Sequence, residues 1–328
     1  METTFELFNN QLIQELVGAQ DCNLRTIEML LGVEISSFGN QIVINGPEDA
    51  VKQAYSALNI MQHKLMKGQT LGEQEVKAAV RLSNAPTDTD NEEENTSALA
   101  DIVLKTKKRH IYPRSATQAK YIQTMMKNEM VFGLGPAGTG KTYLAVALAV
   151  SMMLEGKIDK IILSRPAVEA GENLGFLPGD LKDKVDPYLR PLYDALYEML
   201  PAEQVDKKLA IGEIEIAPLA FMRGRTLSNA FVILDEAQNT TPMQMKMFLT
   251  RLGENSRMVI NGDLSQVDLP HGIVSGLQDA LDTLSKVQGI GSVTFTASDV
   301  VRHGLVAKIV KAYEERNQKK QTKRQNHE

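Results

Sequence analysis

The stretch "GLGPAGTGKT", residues 133 to 142, decides the fold because it fits two different phosphate-binding motifs. One spacing is G-x-G-x-x-G, the dinucleotide-binding fingerprint, with its first glycine at Gly133. The other is G-x-x-x-x-G-K-[ST], a phosphate-binding loop that runs from Gly135 to Thr142. Each motif joins a strand to a helix in an open parallel sheet, so both interpretations predict an α/β fold.

In the second motif, backbone N–H groups and a helix N-terminus point at phosphate oxygens, and glycines let the backbone approach closely. Lys141 would place a positive charge near the β- and γ-phosphates, and Thr142 would offer a hydroxyl to Mg²⁺. This interpretation predicts ATP and Mg²⁺ as cofactors. The predicted nucleotide-binding residues of the loop are Gly135, Pro136, Ala137, Gly138, Thr139, Gly140, Lys141 and Thr142.

Two acidic residues follow the apolar run of "FVILDEAQN", residues 231 to 239. Ligands of open parallel sheets bind at the carboxyl ends of the strands, where Asp235 and Glu236 would lie. Asp235 and Thr142 are the predicted metal-binding residues, and Glu236 is predicted to orient the attacking water. An Asp-Glu pair at a helix N-terminus is the alternative when this motif is considered alone.

A third apolar run leads into "VINGDLSQVDLP", residues 259 to 270. Asn-Gly-Asp suits a turn, which is the simplest interpretation of this segment. In a parallel sheet, however, the exit of this strand would lie beside the phosphate loop. Gln266 is therefore predicted to reach the γ-phosphate and sense hydrolysis.

The dinucleotide interpretation requires an acidic residue at the end of the second strand, to bind the ribose hydroxyls. The second strand contains "IIL", residues 161 to 163, and Ser164 and Arg165 follow it. An arginine would suit a 2′-phosphate, so this position alone does not decide. The phosphate-loop interpretation is favoured because it also accounts for the residues at the exits of the later strands.

Composition sets broad limits on the function. The 328 residues carry a net charge of −5, so any nucleic-acid contact must come from a local patch. A single cysteine, Cys22, excludes an internal disulfide and a cysteine zinc site. The N-terminus lacks a basic region followed by an apolar run, and the apolar segment 142–154 is too short for a bilayer. We therefore expect a cytoplasmic protein without membrane contact.

The chain divides at an acidic, polar stretch, "NAPTDTDNEEENTS", which predicts an interdomain linker. The expected division is an N-terminal domain at 1–83, a linker at 84–98, an ATPase domain at 99–314 and a basic flexible tail at 315–328. Apolar runs at 130–134, 161–163, 231–234, 258–260 and 293–296 are the candidate strands of the ATPase domain. Their continuous apolar character is typical of strands buried on both faces.

Residues 5–66 resemble a KH domain in their predicted order of strand, helix, helix, strand, strand and helix. In KH domains a GXXG loop clamps the nucleic-acid backbone. The corresponding segment here is "GAQD", in which Asp21 replaces the second glycine. A carboxylate repels phosphate, so a degenerate RNA contact and a structural or oligomerisation role both remain open.

The segments "GPAGTGKT", "LDEAQ" and "GDLSQVDLP" resemble motifs I, II and III of superfamily 1 helicases. Gln118 in "TQAKYIQ" resembles their adenine-reading glutamine. Nearly all of residues 5–315 resemble the PhoH-like ATPases, including the long segment between motifs I and II. The resemblance implies a single RecA-like P-loop core with a parallel sheet behind a small α+β KH-like domain. It also implies ATP binding and hydrolysis, with roles in RNA metabolism.

Superfamily 1 helicases use a second RecA-like domain that closes the ATP site and supplies an arginine. The residues after Pro270 are too few for such a domain, so the single core either acts alone and slowly or borrows its second half from a neighbour. We expect the second alternative, a ring-shaped homo-oligomer, such as a hexamer, with ATP sites at the subunit interfaces. Arg225 and Arg302 are the predicted finger residues, and Arg223 is a weaker alternative. A surface salt bridge is the alternative role for each arginine.

The region from Ser164 to Met199 is rich in Gly, Pro and Lys and follows a strand exit. It is predicted to track a nucleic-acid backbone by charge, or else to form an ordered oligomer interface. The candidate contacts are Arg165, Lys182, Lys184 and Arg190, with Tyr188 and Tyr193 as stacking or packing residues. The sequence is therefore consistent with two functions. One is a Mg²⁺-dependent ATPase that acts on RNA or single-stranded nucleic acid, and the other is a slow nucleotide-controlled oligomerisation switch.

Overall fold

The computed structural model describes residues 1–7, 12–83, 102–166, 181–270 and 272–300. At position 74 and at 181–188 it describes the backbone alone. The predicted linker at 84–98 and the predicted tail at 315–328 lie outside the described residues.

The N-terminal unit, residues 1–83, is a small α+β fold. Its elements are β1 (Glu2–Glu6), α1 (Ile13–Val17), α2 (Cys22–Leu31), β2 (Glu34–Phe38), β3 (Gln41–Asn45), α3 (Glu48–Met66) and α4 (Glu73–Leu82). The three strands form an antiparallel sheet in the order β1-β3-β2. Phe5, Ile27, Ile44 and Leu58 share one buried core. The predicted order of elements is confirmed through α3, and α4 is an addition to it; the KH assignment remains a prediction.

The "GAQD" turn between α1 and α2 adopts left-handed backbone at positions that are not glycine. Gln20 and Asp21 have φ of 53° and 61°, beside Gly18 at 78°. The side chain of Asn23 donates to the carbonyls of Glu15 and Leu16, at 3.2 and 3.0 Å, and ties the two helices together. The turn is therefore held by its own contacts, and its RNA-binding role remains a prediction.

The C-terminal unit is a parallel α/β fold. Its elements are β4 (Leu104–Lys105), β5 (His110–Ile111), α5 (Ala116–Lys127), β6 (Met130–Leu134), α6 (Lys141–Leu154), β7 (Lys160–Arg165), α7 (Leu181–Met199), α8 (Ala202–Ala210), β8 (Ile214–Pro218), β9 (Ala230–Leu234), α9 (Pro242–Leu249), β10 (Arg257–Gly262), α10 (Gly276–Leu284) and β11 (Ile290–Thr294). Six strands form a parallel sheet in the order β11-β6-β10-β9-β7-β8. This confirms the predicted fold class.

The sheet departs from the sequence-based expectation in two strands. β8 was not predicted, because "IEIAP" alternates apolar and polar residues, as an edge strand with one covered face does. β11 begins earlier than the predicted run at 293–296 and ends at Thr294. The other four predicted strands are present, each extended by one to three residues or unchanged.

The central strands are buried on both faces, which explains their continuous apolar runs. In β9, Phe231 and Ile233 belong to the core that contains α6, whereas Val232 and Leu234 belong to the core on the opposite face. Both cores are covered by helices, so apolar residues fill the middle of each strand, and buried polar residues such as Ser164 and Asn261 occur only near the carboxyl ends. No helix in the described ranges is long and apolar enough to cross a membrane.

Register aligns the carboxyl ends of the three strands that carry the predicted motifs. Gly262 of β10 pairs with Leu134 of β6, and Ile260 pairs with Leu234 of β9. The residues that follow β6, β9 and β10 must therefore meet at one edge of the sheet.

Gly133→Ala is predicted to destabilise the fold. A Cβ at Gly133 would lie 2.5 Å from Asn261 Oδ1 and 2.9 Å from the Tyr121 hydroxyl, which bond each other at 2.6 Å. We expect the free energy of unfolding to fall by about 3 kcal/mol in urea titration, at the upper end of overpacking costs. Gly156→Ala is the control, since it meets only left-handed backbone strain of about 1 kcal/mol. Wild-type stability of Gly133→Ala would contradict the packing role.

Candidate functional site

The phosphate loop, residues 135–142, is closed by the side chain of Lys141. Helix α6 begins at Lys141, directly after Gly140 in the left-handed region. Lys141 Nζ donates to the carbonyls of Gly135 and Pro136, at 2.6 and 2.8 Å. Burial lowers the pKa of this lysine, and the charges of three nearby carboxylates oppose that shift. The ammonium is therefore held by two backbone carbonyls of the loop that the motif predicts to bind phosphate.

Thr142 and Asp235 meet as the sequence predicts for a metal-binding pair. The Thr142 hydroxyl donates to Asp235 Oδ1 at 2.6 Å. Burial, reinforced by the charge of Glu236, raises the pKa of Asp235, and the Thr142 hydrogen bond opposes the shift. The pair offers a hydroxyl and a carboxylate, the hard oxygen donors that Mg²⁺ prefers alongside phosphate and water. The described residues contain no group of three or more His, Cys, Asp or Glu fit to hold a metal unaided.

Glu236 is held at both of its carboxylate oxygens. Arg165 Nη2 lies 2.9 Å from Oε1, and Gln238 Nε2 donates to Oε2 at 2.6 Å. The backbone of Glu236 is left-handed, with φ of 54°, which turns its side chain out of the strand direction at the end of β9. These two partners fix the position of the carboxylate, and each of its oxygens keeps acceptor capacity for a further hydrogen bond, such as one from water.

Gln238 is a central residue of the site that the sequence reasoning missed. Its side chain is buried, and Oε1 accepts from the backbone N–H of Asp263 at 3.0 Å. Its Nε2 also donates to the carbonyl of Gln266 at 3.1 Å. One amide thus joins the residues after β9 to those after β10. Its place inside the "LDEAQ" segment was the signal that could have identified it.

Gln266 faces the same pocket as the phosphate loop. Its Nε2 donates to Asp263 Oδ2 at 2.6 Å. The pocket has a volume of about 230 Å³, and the predicted residues that line it are Ala137, Gly138, Gly140, Lys141, Thr142, Asp235, Glu236 and Gln266. The structure therefore brings together the predicted residues from three strand exits.

Gln118 has both ends of its amide engaged with backbone. Oε1 accepts from the N–H of Arg114 at 2.7 Å, and Nε2 donates to the carbonyl of Thr139 at 2.9 Å. The side chain therefore fixes the phosphate loop against the start of α5. It also lines a second, larger cleft beside the loop. Its adenine-reading role remains a prediction.

Arg225 pairs within its own chain. Its guanidinium binds both carboxylate oxygens of Glu215, at 2.6 and 2.7 Å, which is the salt-bridge alternative for this residue. A finger role would require this pair to separate. Arg302 lies outside the described residues, as do the side chains of Lys182, Lys184 and Tyr188.

Two residues of the predicted nucleic-acid region differ in exposure. Arg190 is exposed on α7, and Tyr193 packs against the core around α6. Packing is therefore the role that the structure supports for Tyr193, whereas the charge-tracking role of Arg190 remains a prediction.

Known proteins resemble this chain over most of its length. The family model described as PhoH-like protein matches residues 110–314. The PhoH-like protein of Bacillus subtilis (strain 168) is 49% identical over 304 residues, covering 92% of this chain and 94% of that protein. The PhoH-like protein of Mycobacterium tuberculosis (strain ATCC 25618 / H37Rv) is 47% identical over 302 residues, covering 92% and 85%. Protein PhoH of Escherichia coli (strain K12) is 47% identical over 205 residues, covering 62% and 58%.

Solved structures give a weaker likeness. The UvsW helicase from bacteriophage T4 is 12% identical with a TM-score of 0.35, covering 89% of each chain. The Pif1 helicase from Candida albicans is 13% identical with a TM-score of 0.29, covering 56% of this chain and 39% of that one. Scores this low carry no argument about this chain. The family match and the close relatives, by contrast, agree with the phosphate loop and its acidic partners: the chain belongs to the PhoH-like protein family and has a P-loop nucleoside triphosphatase core.

Proposed function

We propose that this protein is a Mg²⁺-dependent ATPase that acts on RNA or single-stranded nucleic acid as a helicase-like remodeller. One observation carries the ATPase part: Lys141, Thr142, Asp235, Glu236 and Gln266 surround a single pocket at the edge of a parallel sheet. Phosphoryl transfer depends on positioning and on charge neutralisation, and this set of side chains can supply both. The cytoplasm is the proposed location.

Each residue has a distinct task in this proposal. Lys141 leaves the carbonyls of Gly135 and Pro136 and binds the β- and γ-phosphates, since a phosphate oxygen is the stronger acceptor. Thr142 and Asp235 would hold Mg²⁺, which would neutralise charge on the phosphates. Glu236 orients the attacking water, and Gln266 contacts the γ-phosphate region and reports its loss through Gln238.

Glu236→Gln is predicted to abolish turnover while preserving ATP binding. The amide keeps the size of the side chain but cannot act as a base, so kcat should fall by at least about a hundredfold. The Kd for ATP should stay within about threefold of wild type, because Glu236 is not a phosphate ligand in this account. Steady-state ATPase assays and calorimetry measure the two quantities. The exposed Glu203→Gln on α8 is the matched control; equal activity of both variants would contradict the assignment.

The ion pair between Arg165 and Glu236 supports a link between nucleic acid and hydrolysis. Arg165 lies at the end of β7, where the long segment predicted to contact nucleic acid begins. A nucleic-acid phosphate that attracts Arg165 would weaken its hold on Glu236 and leave the carboxylate freer to align the attacking water. We therefore propose that nucleic acid raises the ATPase rate by drawing Arg165 away.

Single-stranded RNA is predicted to stimulate the wild-type ATPase, and the stimulation should weaken as salt rises, because phosphate contacts release counterions. Arg165→Gln should raise the basal rate and reduce the stimulation factor, each by about threefold or more. The exposed Arg81→Gln on α4 is a control for loss of one positive charge. Absence of stimulation in wild type would favour the switch over the remodeller. A wild-type basal rate in Arg165→Gln would contradict the restraining role of the pair.

We also propose that the active form is a ring-shaped homo-oligomer, such as a hexamer, in which a neighbouring subunit supplies an arginine. The described pocket is lined by one lysine and no arginine, so a further positive charge near the transferred phosphate would raise the rate. Arg225 is paired with Glu215, and this leaves Arg302 as the leading proposal.

Mixing Lys141→Ala subunits with Arg302→Ala subunits tests this assembly. Each homogeneous variant should be nearly inactive, and mixed oligomers should regain part of the ATPase rate at interfaces that combine an intact loop with an intact finger. Subunit exchange is verified by native mass before the assay. If the mixed oligomers regain no ATPase activity, the proposal that a neighbouring subunit supplies Arg302 to the ATP site is contradicted.

The second candidate function is a slow nucleotide-controlled oligomerisation switch. The engaged state of Glu236 favours it, because a catalytic carboxylate tied to both Arg165 and Gln238 predicts a low basal rate. RNA-dependent acceleration distinguishes the two functions, since the switch requires no response to nucleic acid.

A further inference from the structure

A cleft lies between the N-terminal unit and the C-terminal unit, beside the phosphate loop. Its volume is about 680 Å³, within the range of ligand pockets. The N-terminal unit contributes the end of α3, the turn after it and one face of α4, through Lys64, Gln69, Thr70 and Glu75. We call this space the interface cleft.

The opposite wall of the interface cleft belongs to the nucleotide-binding core. Tyr112 and Arg114 lie before α5, and Gln118 lies in its first turn. Gly138, Gly140 and Tyr143 line both the interface cleft and the pocket that contains Lys141 and the acidic residues. The two spaces are therefore neighbours that share the phosphate loop as their common border.

The shared border indicates where the base and ribose of a nucleotide can bind once its phosphates occupy the pocket around Lys141. The pocket around Lys141 holds about 230 Å³ and is lined by charged groups suited to phosphates and a cation. A base and ribose attached to those phosphates need an adjoining space with aromatic surface and polar donors. The interface cleft offers Tyr112 and Tyr143 for stacking, together with lysine, arginine and amide groups.

Within the N-terminal unit, Lys64 is the residue best placed to contact a ligand in the interface cleft. It is 4% exposed, although a lysine is rarely buried without a partner of opposite charge or a ligand. Its ammonium lies 5.7 Å from the centroid of the Tyr112 ring, a cation–π distance across the two units. Burial lowers its pKa, Arg114 adds to that shift, and Glu75 opposes it. A buried donor beside an aromatic face suits a ribose hydroxyl or an acceptor atom of a base.

We propose that the N-terminal unit forms one wall of the nucleoside-binding site, with Lys64 as a binding residue for the base or ribose of the nucleotide. This inference rests on the proposed ATPase function. Because a ligand held by both units binds more tightly when they are docked, linkage requires that nucleotide also strengthens their docking. The docking of the N-terminal unit then depends on whether nucleotide is bound. This dependence does not require the "GAQD" turn to bind any ligand.

The test compares two probes on the full chain by calorimetry with Mg²⁺: ATP, and inorganic tripolyphosphate, which lacks the nucleoside. Lys64→Met keeps the apolar stem and removes the ammonium. We expect it to weaken ATP binding about tenfold, the value of one hydrogen bond to a charged donor, and to leave tripolyphosphate binding unchanged. Lys52→Met, on an exposed part of the same helix, should change neither affinity.

The rate of amide hydrogen exchange supplies a second measurement. If Lys64 had only a structural role, ATP would not change this rate in the N-terminal unit. ATP should slow amide exchange in residues 64–78 of the wild type, and tripolyphosphate should not. Wild-type ATP affinity in Lys64→Met, or equal weakening of both probes, would overturn this inference alone. If the wild type binds neither probe, the proposed function fails, and this inference fails with it.

Discussion

The buried ammonium of Lys141 is the interaction on which the rest of the site depends. It is 8% exposed, and it holds the carbonyls of Gly135 and Pro136 while the charges of Asp235, Glu236 and Asp263 surround it. Burial disfavours this charge and lowers the pKa of the lysine, and the nearby carboxylates offset part of that effect. The same balance of charges would accept a phosphate and a divalent cation together, because one adds negative charge where the other adds positive charge. The parallel register of β6, β9 and β10 makes this arrangement possible.

Much of the fold could be predicted because burial on both faces imposes continuous apolar runs on the central strands. The acidic residues that follow those strands, Asp235 and Asp263, then had to lie at one edge of the sheet. β8 escaped prediction because an edge strand lacks such a run. The partners of Glu236 could not be predicted either, because sequence spacing does not reveal that Arg165 and Gln238 contact the same carboxylate. The interface cleft escaped for a similar reason: Lys64 lies on a helix whose pattern indicates only a core face.

The site is built as a chain of contacts rather than as a set of separate groups. Arg165 binds Glu236, Glu236 binds Gln238, and Gln238 binds the backbone of Gln266. A change at the end of β7 can therefore reach the residues after β10 through one ion pair and two hydrogen bonds. In our proposal nucleic acid acts on Arg165, at one end of this series of contacts, and the γ-phosphate acts on Gln266, at the other end. Such coupling would require a second arrangement of these contacts beside the observed one, in which Arg165 and Gln238 both bind Glu236.

A crystal structure of the full chain with Mg²⁺ and a non-hydrolysable ATP analogue would test whether the phosphate loop binds the triphosphate. We expect Lys141 Nζ to move from the carbonyls of Gly135 and Pro136 to the β- and γ-phosphates, with Thr142 and Asp235 beside the cation. An analogue bound away from the phosphate loop would contradict this role of Lys141. So would a Lys141 that keeps its present hydrogen bonds with the analogue in place.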